Sequence, residues 1–174
     1  MIHVINLKKD VQKRKYIQTE LRSKIIEFEI VEAVDGMALT TDELEAVYDR
    51  KNAIYELGRE LKAGEIGCSL SHLKIAQYIV DENIESAVIL EDDARIIGDI
   101  SELINEFKDL EYDLIHLGCY SFHGWFGAKQ IKPIYKVFHQ EKIGNYVLVK
   151  TIGEVFGTHG YMLSKSGAKK ILDL

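Results

Sequence analysis

A short apolar run that ends in three acids, Ala87-Val88-Ile89-Leu90-Glu91-Asp92-Asp93, is the most informative segment of this chain. Consecutive apolar residues of this length are typical of a strand that is buried on both faces of a sheet. Side chains alternate along a strand, so we expect Glu91 and Asp93 to point to one side and Asp92 to the other. Ligands of parallel sheets bind beyond the carboxyl ends of the strands. The three acids therefore lie where a binding site is expected.

Two carboxylates on one side of a strand end can hold a hard divalent cation. We expect Glu91 and Asp93 to be the metal ligands, with Mn²⁺ or Mg²⁺ bridging to a diphosphate of the bound ligand. Without a cation, repulsion among the three acids would raise the pKa of at least one of them. The alternative is a solvated acidic turn between a strand and a helix.

Strand-like and helix-like segments alternate on both sides of this run. Strands are expected at residues 2–7, 26–30, 87–90, 114–117, 146–149 and 161–163, and helices after Asp10, Thr40, Gly64, Asp99 and Ser164. Such alternation predicts an α/β/α sandwich around a mostly parallel central sheet. No repeat or proline-rich linker divides the chain, so residues 1–174 are expected to form a single domain.

Composition excludes several classes of protein. The 174 residues carry 22 basic and 28 acidic side chains, a formal net charge of −6, which argues against a binder of the nucleic-acid backbone. No apolar run approaches the ~20 residues of a membrane span, and no signal peptide is visible, so we expect a cytoplasmic protein. Cys68 and Cys119 are expected to be buried thiols without a role.

A second informative segment is Gly64-Glu65-Ile66-Gly67-Cys68-Ser69-Leu70-Ser71-His72, which opens a helix. Glu65, Ser69 and His72 form a polar stripe beside an apolar face of Ile66, Leu70, Leu73, Ala76 and Val80. The first turn of a helix can bind an anion, and the glycines would allow a ligand to approach closely. Two alternatives remain: Glu65 can simply complement the helix dipole, and His72 can be a hydrogen-bonded histidine at the rim.

These segments occur in an order that resembles glycosyltransferase family 25. The matching stretches are Ile5-Asn6-Leu7 followed by Arg14, Ala33-Val34-Asp35-Gly36, residues 64–72, Ile89-Leu90-Glu91-Asp92-Asp93-Ala94 and Gly157-Thr158-His159-Gly160-Tyr161. The family includes lipooligosaccharide galactosyltransferases of Gram-negative bacteria and relatives that glycosylate collagen. The resemblance covers nearly the whole chain, and the order of the segments is more specific than any one of them.

The resemblance implies an A-type, Rossmann-like glycosyltransferase fold and an inverting transfer of a hexose, often galactose, from a UDP-sugar with Mn²⁺. By the same resemblance, Glu91 and Asp93 match the metal and diphosphate pair of the family. Asn6, Arg14 and Asp35 fall in segments expected around the nucleotide. The segment that opens the helix at Gly64 is expected near the donor, and its candidate residues are Gly64, Glu65, Ser69 and His72.

Some of these roles have simple structural alternatives. Arg14 can bind phosphate through its guanidinium or lie solvated on its helix. Asp35 can accept a hydrogen bond from a ribose hydroxyl or form an Asp-Gly turn. The catalytic carboxylates are expected in the acidic triplet, and the general base is open among Asp92, Glu65 and His159.

The expected partners are a nucleotide-sugar donor and a glycan or glycolipid acceptor, with lipooligosaccharide the leading acceptor. A membrane-bound acceptor would imply work at the inner face of the cytoplasmic membrane. Members of the family usually continue for tens of residues beyond Leu174, so the acceptor site and the base are expected in part outside this chain. Two other hypotheses remain: an inactive nucleotide-sugar-binding domain and a metal-dependent phosphohydrolase.

Overall fold

A computed structural model describes residues 1–118, 136–152, 155 and 157–174. Within them, strands and helices alternate along the first two thirds of the chain. The strands are β1 Ile2–Asn6, β2 Phe28–Glu32, β3 Ser86–Glu91, β4 Leu114–His116, β5 Lys136–Ile143, β6 Tyr146–Ile152 and β7 Gly160–Ser164. The helices are α1 Val11–Ser23, α2 Thr41–Val47, α3 Arg50–Leu57, α4 Ala63–Asp81, α5 Ile100–Phe107 and α6 Lys165–Leu172, with a 3₁₀ turn at Gly36–Ala38.

The central sheet has five strands in the order β2-β1-β3-β7-β4. β1 pairs in parallel with both β2 and β3, whereas β7 runs antiparallel to its neighbours β3 and β4. Four of the five strands therefore point the same way, which confirms the expected α/β class, although only two of the four strand pairings are parallel. The strand expected at residues 161–163 is confirmed as β7, but its antiparallel direction was not expected; β7 begins where β3 ends.

Helices cover both faces of this sheet. On one face, Val4 and Leu90 pack with Ile17 of α1 and Phe107 of α5. On the other face, Ile89 packs with residues of α4 and α6. Alternation along β3 explains this division, because Val88 and Leu90 face α1 and α5 while Ala87 and Ile89 face α4 and α6.

Several helix boundaries follow from local side-chain chemistry. Thr40 and Glu43 form the expected capping box of α2, and Ser164 caps α6 by accepting from the amide of Gly167. Asp99 accepts from two amides of the first turn of α5. These side chains satisfy backbone donors that have no partner inside the helix.

The inner face of α4 matches the expected one in part, since Ile66 and Ala76 are buried as expected. Gly67, Ser71, Ile75 and Ile79 are buried, whereas Leu73, which was expected inside, is exposed. The reason is a close backbone contact, since a Cβ on Gly67 would lie 2.5 Å from the amide nitrogen of Gly36. This contact turns the glycine side of the helix toward the loop that follows β2.

Strand β6 was expected in the central sheet but forms a separate hairpin with β5. The hairpin is held against α5 by Tyr146, whose single hydroxyl proton has two acceptors within reach, the carbonyl oxygen of Asp99 at 3.0 Å and the carboxylate of Glu102 at 3.1 Å. Cys119 lies outside the described residues. In the part of the chain that is described, no helix has the length and apolar character needed to cross a bilayer.

Candidate active site

The candidate site lies at the edge of the sheet where three strands meet. β1 and β3 run in parallel and end side by side, with Ile5 opposite Glu91. β7 runs the other way and begins here, and the amide of Glu91 donates to the carbonyl of His159 at 3.0 Å. The polar residues at these three ends are therefore brought together, as expected for the ligand-binding edge of an α/β sheet.

Glu91 faces α4, on the same side of the sheet as Ile89. Its carboxylate lies 3.4 Å from Nε2 of His72 and accepts a short hydrogen bond from the hydroxyl of Thr158. The bond with His72 lowers the pKa of Glu91, which outweighs the opposite effect of its burial. Glu91 is thus a carboxylate that other side chains hold in place.

His72 is fixed through both nitrogens of its ring. Nδ1 forms a 2.7 Å hydrogen bond with the hydroxyl of the buried Tyr161, and Nε2 points to Glu91. Burial lowers the pKa of His72, but its hydrogen bonds with Cys68 and Glu91 outweigh burial and raise the pKa to about 9. The ring therefore contributes positive charge beside the acidic strand end.

Cys68 was expected to be a buried thiol without a role. The prediction of burial is wrong. It is exposed on α4, one helical turn before His72. Its sulfur, a nitrogen of His72 and an oxygen of Glu91 lie within 4.8 Å of one another. The spacing of four between Cys68 and His72 was the available signal.

Asp92 lies on the opposite side of the strand end from Glu91. It is 7% exposed and accepts from the side-chain amide of Asn6 at 2.7 Å, and Asn6 is itself buried at the end of β1. The expected alternation of the three acids stops at Glu91, because β3 ends there and the next two residues form a turn. Asp93 consequently does not share the surroundings of Glu91.

Lys13 joins the two aspartates. Its Nζ lies 3.4 Å from an oxygen of Asp92 and 3.5 Å from an oxygen of Asp93. Partial burial lowers the pKa of Lys13, but the two carboxylates outweigh it and raise the pKa. Lys13 was not predicted as a site residue, although it stands four residues before the buried Ile17 and so lies on the same stripe of α1.

Asn6, Arg14 and Asp35, the residues expected near the nucleotide, all lie close to this edge of the sheet. They make separate contacts and do not form one cluster. Asp35 follows β2, caps the 3₁₀ turn through the amide of Met37 and bonds Lys9 at 2.5 Å, which lowers the pKa of Asp35. Arg14 is exposed on α1, and Lys13 rather than Arg14 contacts the acids. The structural alternative for Asp35, a turn, is thus realised, and its carboxylate stays partly accessible.

The first turn of α4 is tied to the preceding loop. Glu65 accepts two hydrogen bonds from Arg59, at 2.6 and 2.8 Å, and one from the amide of Lys62. These bonds lower the pKa of Glu65 to about 2. Gly64 and Ser69 are exposed, so the helix start presents an open surface beside an anchored carboxylate.

Comparison with known proteins shows the family to which the chain belongs. The model of glycosyltransferase family 25, described as an LPS biosynthesis protein family, matches residues 1–174. Procollagen galactosyltransferase 2 of Homo sapiens is 30% identical over 180 residues, which cover 98% of this chain and 27% of that protein. A glycosyltransferase 25 family member of Drosophila melanogaster is 31% identical over 179 residues, with 98% and 27% covered.

The similar proteins also include one named as a probable inactive glycosyltransferase 25 family member 3, from Bos taurus. It is 29% identical over 180 residues, which cover 98% of this chain and 28% of that protein. The chain thus spans a little over a quarter of the length of these relatives. An α/β sheet with carboxylates at the edge where β1 and β3 end is consistent with a Rossmann-like glycosyltransferase fold. The chain belongs to glycosyltransferase family 25.

Proposed function

We propose that this chain is the donor-binding and catalytic part of a hexosyltransferase. In this proposal it moves a hexose, galactose first among the candidates, from a UDP-sugar to lipooligosaccharide or another surface glycan, with inversion at the anomeric carbon. The A-type glycosyltransferase fold and work in the cytoplasm, at the inner face of the cytoplasmic membrane, belong to the same proposal. The name of the human relative supports galactose as the sugar.

One observation carries the proposal: two aspartates converge on a single cation at the ligand edge of the sheet. Nζ of Lys13 lies 3.4 and 3.5 Å from oxygens of Asp92 and Asp93. A position that attracts one ammonium group between two carboxylates also suits a divalent cation. An ammonium and a divalent cation would compete for the space between these oxygens.

The oxygen donors of the triplet fit Mn²⁺ or Mg²⁺, which prefer carboxylate and water ligands. Asp93, with 55% of its side chain exposed, is the ligand most open to an incoming diphosphate. Asp92 or Glu91 would supply the second carboxylate; the contacts around Lys13 favour Asp92 over the Glu91 expected from the sequence. When bound, the metal neutralises negative charge on the departing diphosphate.

Residues of the chain itself prepare the site around that charge. Asn6 holds Asp92 in place, and Lys13 adds a positive charge on the same side. Two of the three candidate bases, Asp92 and Glu65, are engaged in ion pairs with Lys13 and Arg59 that they would have to break to accept a proton. The general base of the proposal is one of Asp92, Glu65 and His159.

The test replaces Asp93 by asparagine, a change that keeps the shape and removes the charge. Transfer of galactose from UDP-galactose in the presence of Mn²⁺ is measured with lipooligosaccharide core oligosaccharides and collagen peptides as acceptors. We expect the rate to fall at least ~100-fold, the usual loss when a group that stabilises transition-state charge is removed. Asp81→Asn, an exposed acid at the far end of α4, is the control and should retain the rate. Full transfer by Asp93→Asn would contradict the role of the acid.

A second candidate is a nucleotide-sugar-binding domain without turnover, and the relative named as probably inactive favours it. It differs from the first in one measurable respect. An inactive domain binds UDP-galactose but releases neither free galactose nor a glycosylated acceptor over long incubation. Any turnover that Asp93→Asn removes would exclude this candidate.

A further inference from the structure

We propose that Cys68, His72 and Glu91 form a binding site for a thiophilic divalent cation, with zinc the best fit. The site is separate from the Asp92–Asp93 position, and it does not depend on whether the chain transfers a sugar. Within the described ranges, these three side chains are the group of histidine, cysteine and acidic residues whose ligand atoms lie together.

The backbone places the three ligands from two rigid elements. Cys68 and His72 stand four residues apart on α4, so their side chains project from the same face in consecutive turns. Glu91 is the last residue of β3 and points to that face. All three ligand atoms lie within 4.8 Å of one another, and Nε2 of His72 is 3.4 Å from the glutamate oxygen. Small rotations of the side chains would place these atoms around one ion.

Outer contacts orient two of the ligands as metal sites require. Nδ1 of His72 is bonded to the hydroxyl of Tyr161 at 2.7 Å, which leaves Nε2 directed at Glu91. Zinc-binding histidines are commonly fixed through the second ring nitrogen in this way. The hydroxyl of Thr158 holds an oxygen of Glu91. Neither Tyr161 nor Thr158 would itself touch the ion.

The donor set selects the metal. One thiolate, one imidazole and one carboxylate suit zinc or a similar transition metal, whereas Mn²⁺ and Mg²⁺ prefer oxygen ligands. Asp92 and Asp93 provide such an oxygen set on the other side of the strand end, around Lys13. Two chemically distinct cation positions therefore lie on opposite sides of the end of β3.

Access and coordination number point to an open site. Cys68 is exposed, so an ion can enter from solvent, and binding would release the proton of its thiol together with the Nε2 proton of the His72 ring. Three protein ligands fill three of the four positions that zinc normally uses. The fourth would hold water or an atom of a bound ligand.

The test uses Co²⁺ as a coloured substitute for zinc in the chelator-stripped chain. We expect a thiolate-to-cobalt charge-transfer band that one equivalent of Zn²⁺ abolishes. Cys68→Ser should remove the band and weaken zinc binding by ~100-fold or more, since even changes to outer-shell partners cost ~10- to 100-fold. His72→Gln should weaken zinc binding comparably. Circular dichroism checks that each variant is folded.

Two controls separate this site from its neighbours. Cys119→Ser tests the other cysteine of the chain, and Asp93→Asn tests the acidic position; both should keep the band and the affinity for zinc. The proposal is overturned if the wild-type chain shows no thiolate band, or if Cys68→Ser retains it. Loss of zinc in Asp93→Asn, but not in Cys68→Ser, would assign the ion to the acidic position. None of these readouts requires sugar transfer, so failure here is distinguishable from failure of the proposed activity.

Discussion

Asn6 shows how one buried amide organises the acidic strand end. It is 2% exposed, and its Nδ2 donates to Asp92 at 2.7 Å and to the carbonyl of Asp10 at 3.2 Å. A buried carboxylate is costly unless hydrogen bonds compensate its lost hydration. Asn6 therefore links the end of β1 both to the acid and to the start of α1.

Replacing Asn6 by leucine tests that link. The variant fills similar space but leaves Asp92 without its amide donor, so we expect the free energy of unfolding in urea to fall by about 1–3 kcal/mol. Asn105→Leu, on the exposed side of α5, is the matched control and should change stability by less than ~0.5 kcal/mol. Equal stability of the two variants would show that the amide does not support Asp92.

Glu65 gives a pH-dependent prediction at the same scale. Its hydrogen bonds to Arg59 and Lys62 lower its pKa from 4.5 to about 2. A lowered pKa in the folded state stabilises the fold above the unfolded value, and this contribution is lost as the pH falls through the folded value. We therefore expect Glu65→Gln to be less stable than wild type at neutral pH, with the gap closing between pH 4.5 and 2. The difference in the free energy of unfolding between wild type and Glu65→Gln is expected to be small, because solvent screens the exposed pair of Arg59 and Glu65.

The measurement compares urea unfolding of wild type and Glu65→Gln at neutral pH and at pH 2 to 4. Glu45→Gln, an exposed acid on α2, is the control and should follow wild type throughout. A gap for Glu65→Gln that stays constant from neutral pH to pH 2 would contradict the lowered pKa.

At the scale of elements, the packing of α4 against the loop after β2 sets the position of His72. A Cβ on Gly67 would lie 2.5 Å from the amide nitrogen of Gly36 and 2.7 Å from the carbonyl of Val34. Ser71 supports the same contact by accepting from the amide of Val34 at 2.8 Å. The atoms around Gly67 belong to the backbone, so they cannot move aside as a flexible side chain could.

Gly67→Ala and Gly64→Ala form a matched pair for this contact. Gly67→Ala should lower the free energy of unfolding by about 1–3 kcal/mol, because the added methyl group overpacks the crossing. Gly64→Ala meets no atom within 4 Å and should raise stability by up to ~1 kcal/mol, since alanine favours a helix over glycine. Chemical denaturation measures both, and a Gly67→Ala variant as stable as wild type would refute the close packing.

Local sequence patterns predicted most elements and several caps correctly. They failed where the decisive contact is distant in sequence. Leu73 fits an apolar helical stripe, but the crossing of Gly67 with Gly36 turns it outward. Strand β6 looks apolar enough for the central sheet, yet its partner β5 forms a separate hairpin with it. Periodicity carries no information on which strand will be the neighbour.

For the molecule as a whole, the sequence predicted the edge of the sheet that gathers polar residues but not how they divide. The three adjacent acids suggested one metal position. Instead, at the end of β3, Glu91 contacts His72 of α4, whereas Asp92 and Asp93 contact Lys13 of α1. That division depends on where the strand stops, and strand ends are poorly encoded in single sequences.

The most direct test of the account is calorimetric titration of the purified chain with UDP-galactose and UDP-glucose, each with and without Mn²⁺. We predict binding that requires Mn²⁺ and that Asp93→Asn abolishes, because the acidic strand end would hold the diphosphate through the metal. Absence of binding to either donor in the presence of Mn²⁺ would contradict the account. Binding that is equal in wild type and Asp93→Asn would contradict the assigned place of the metal.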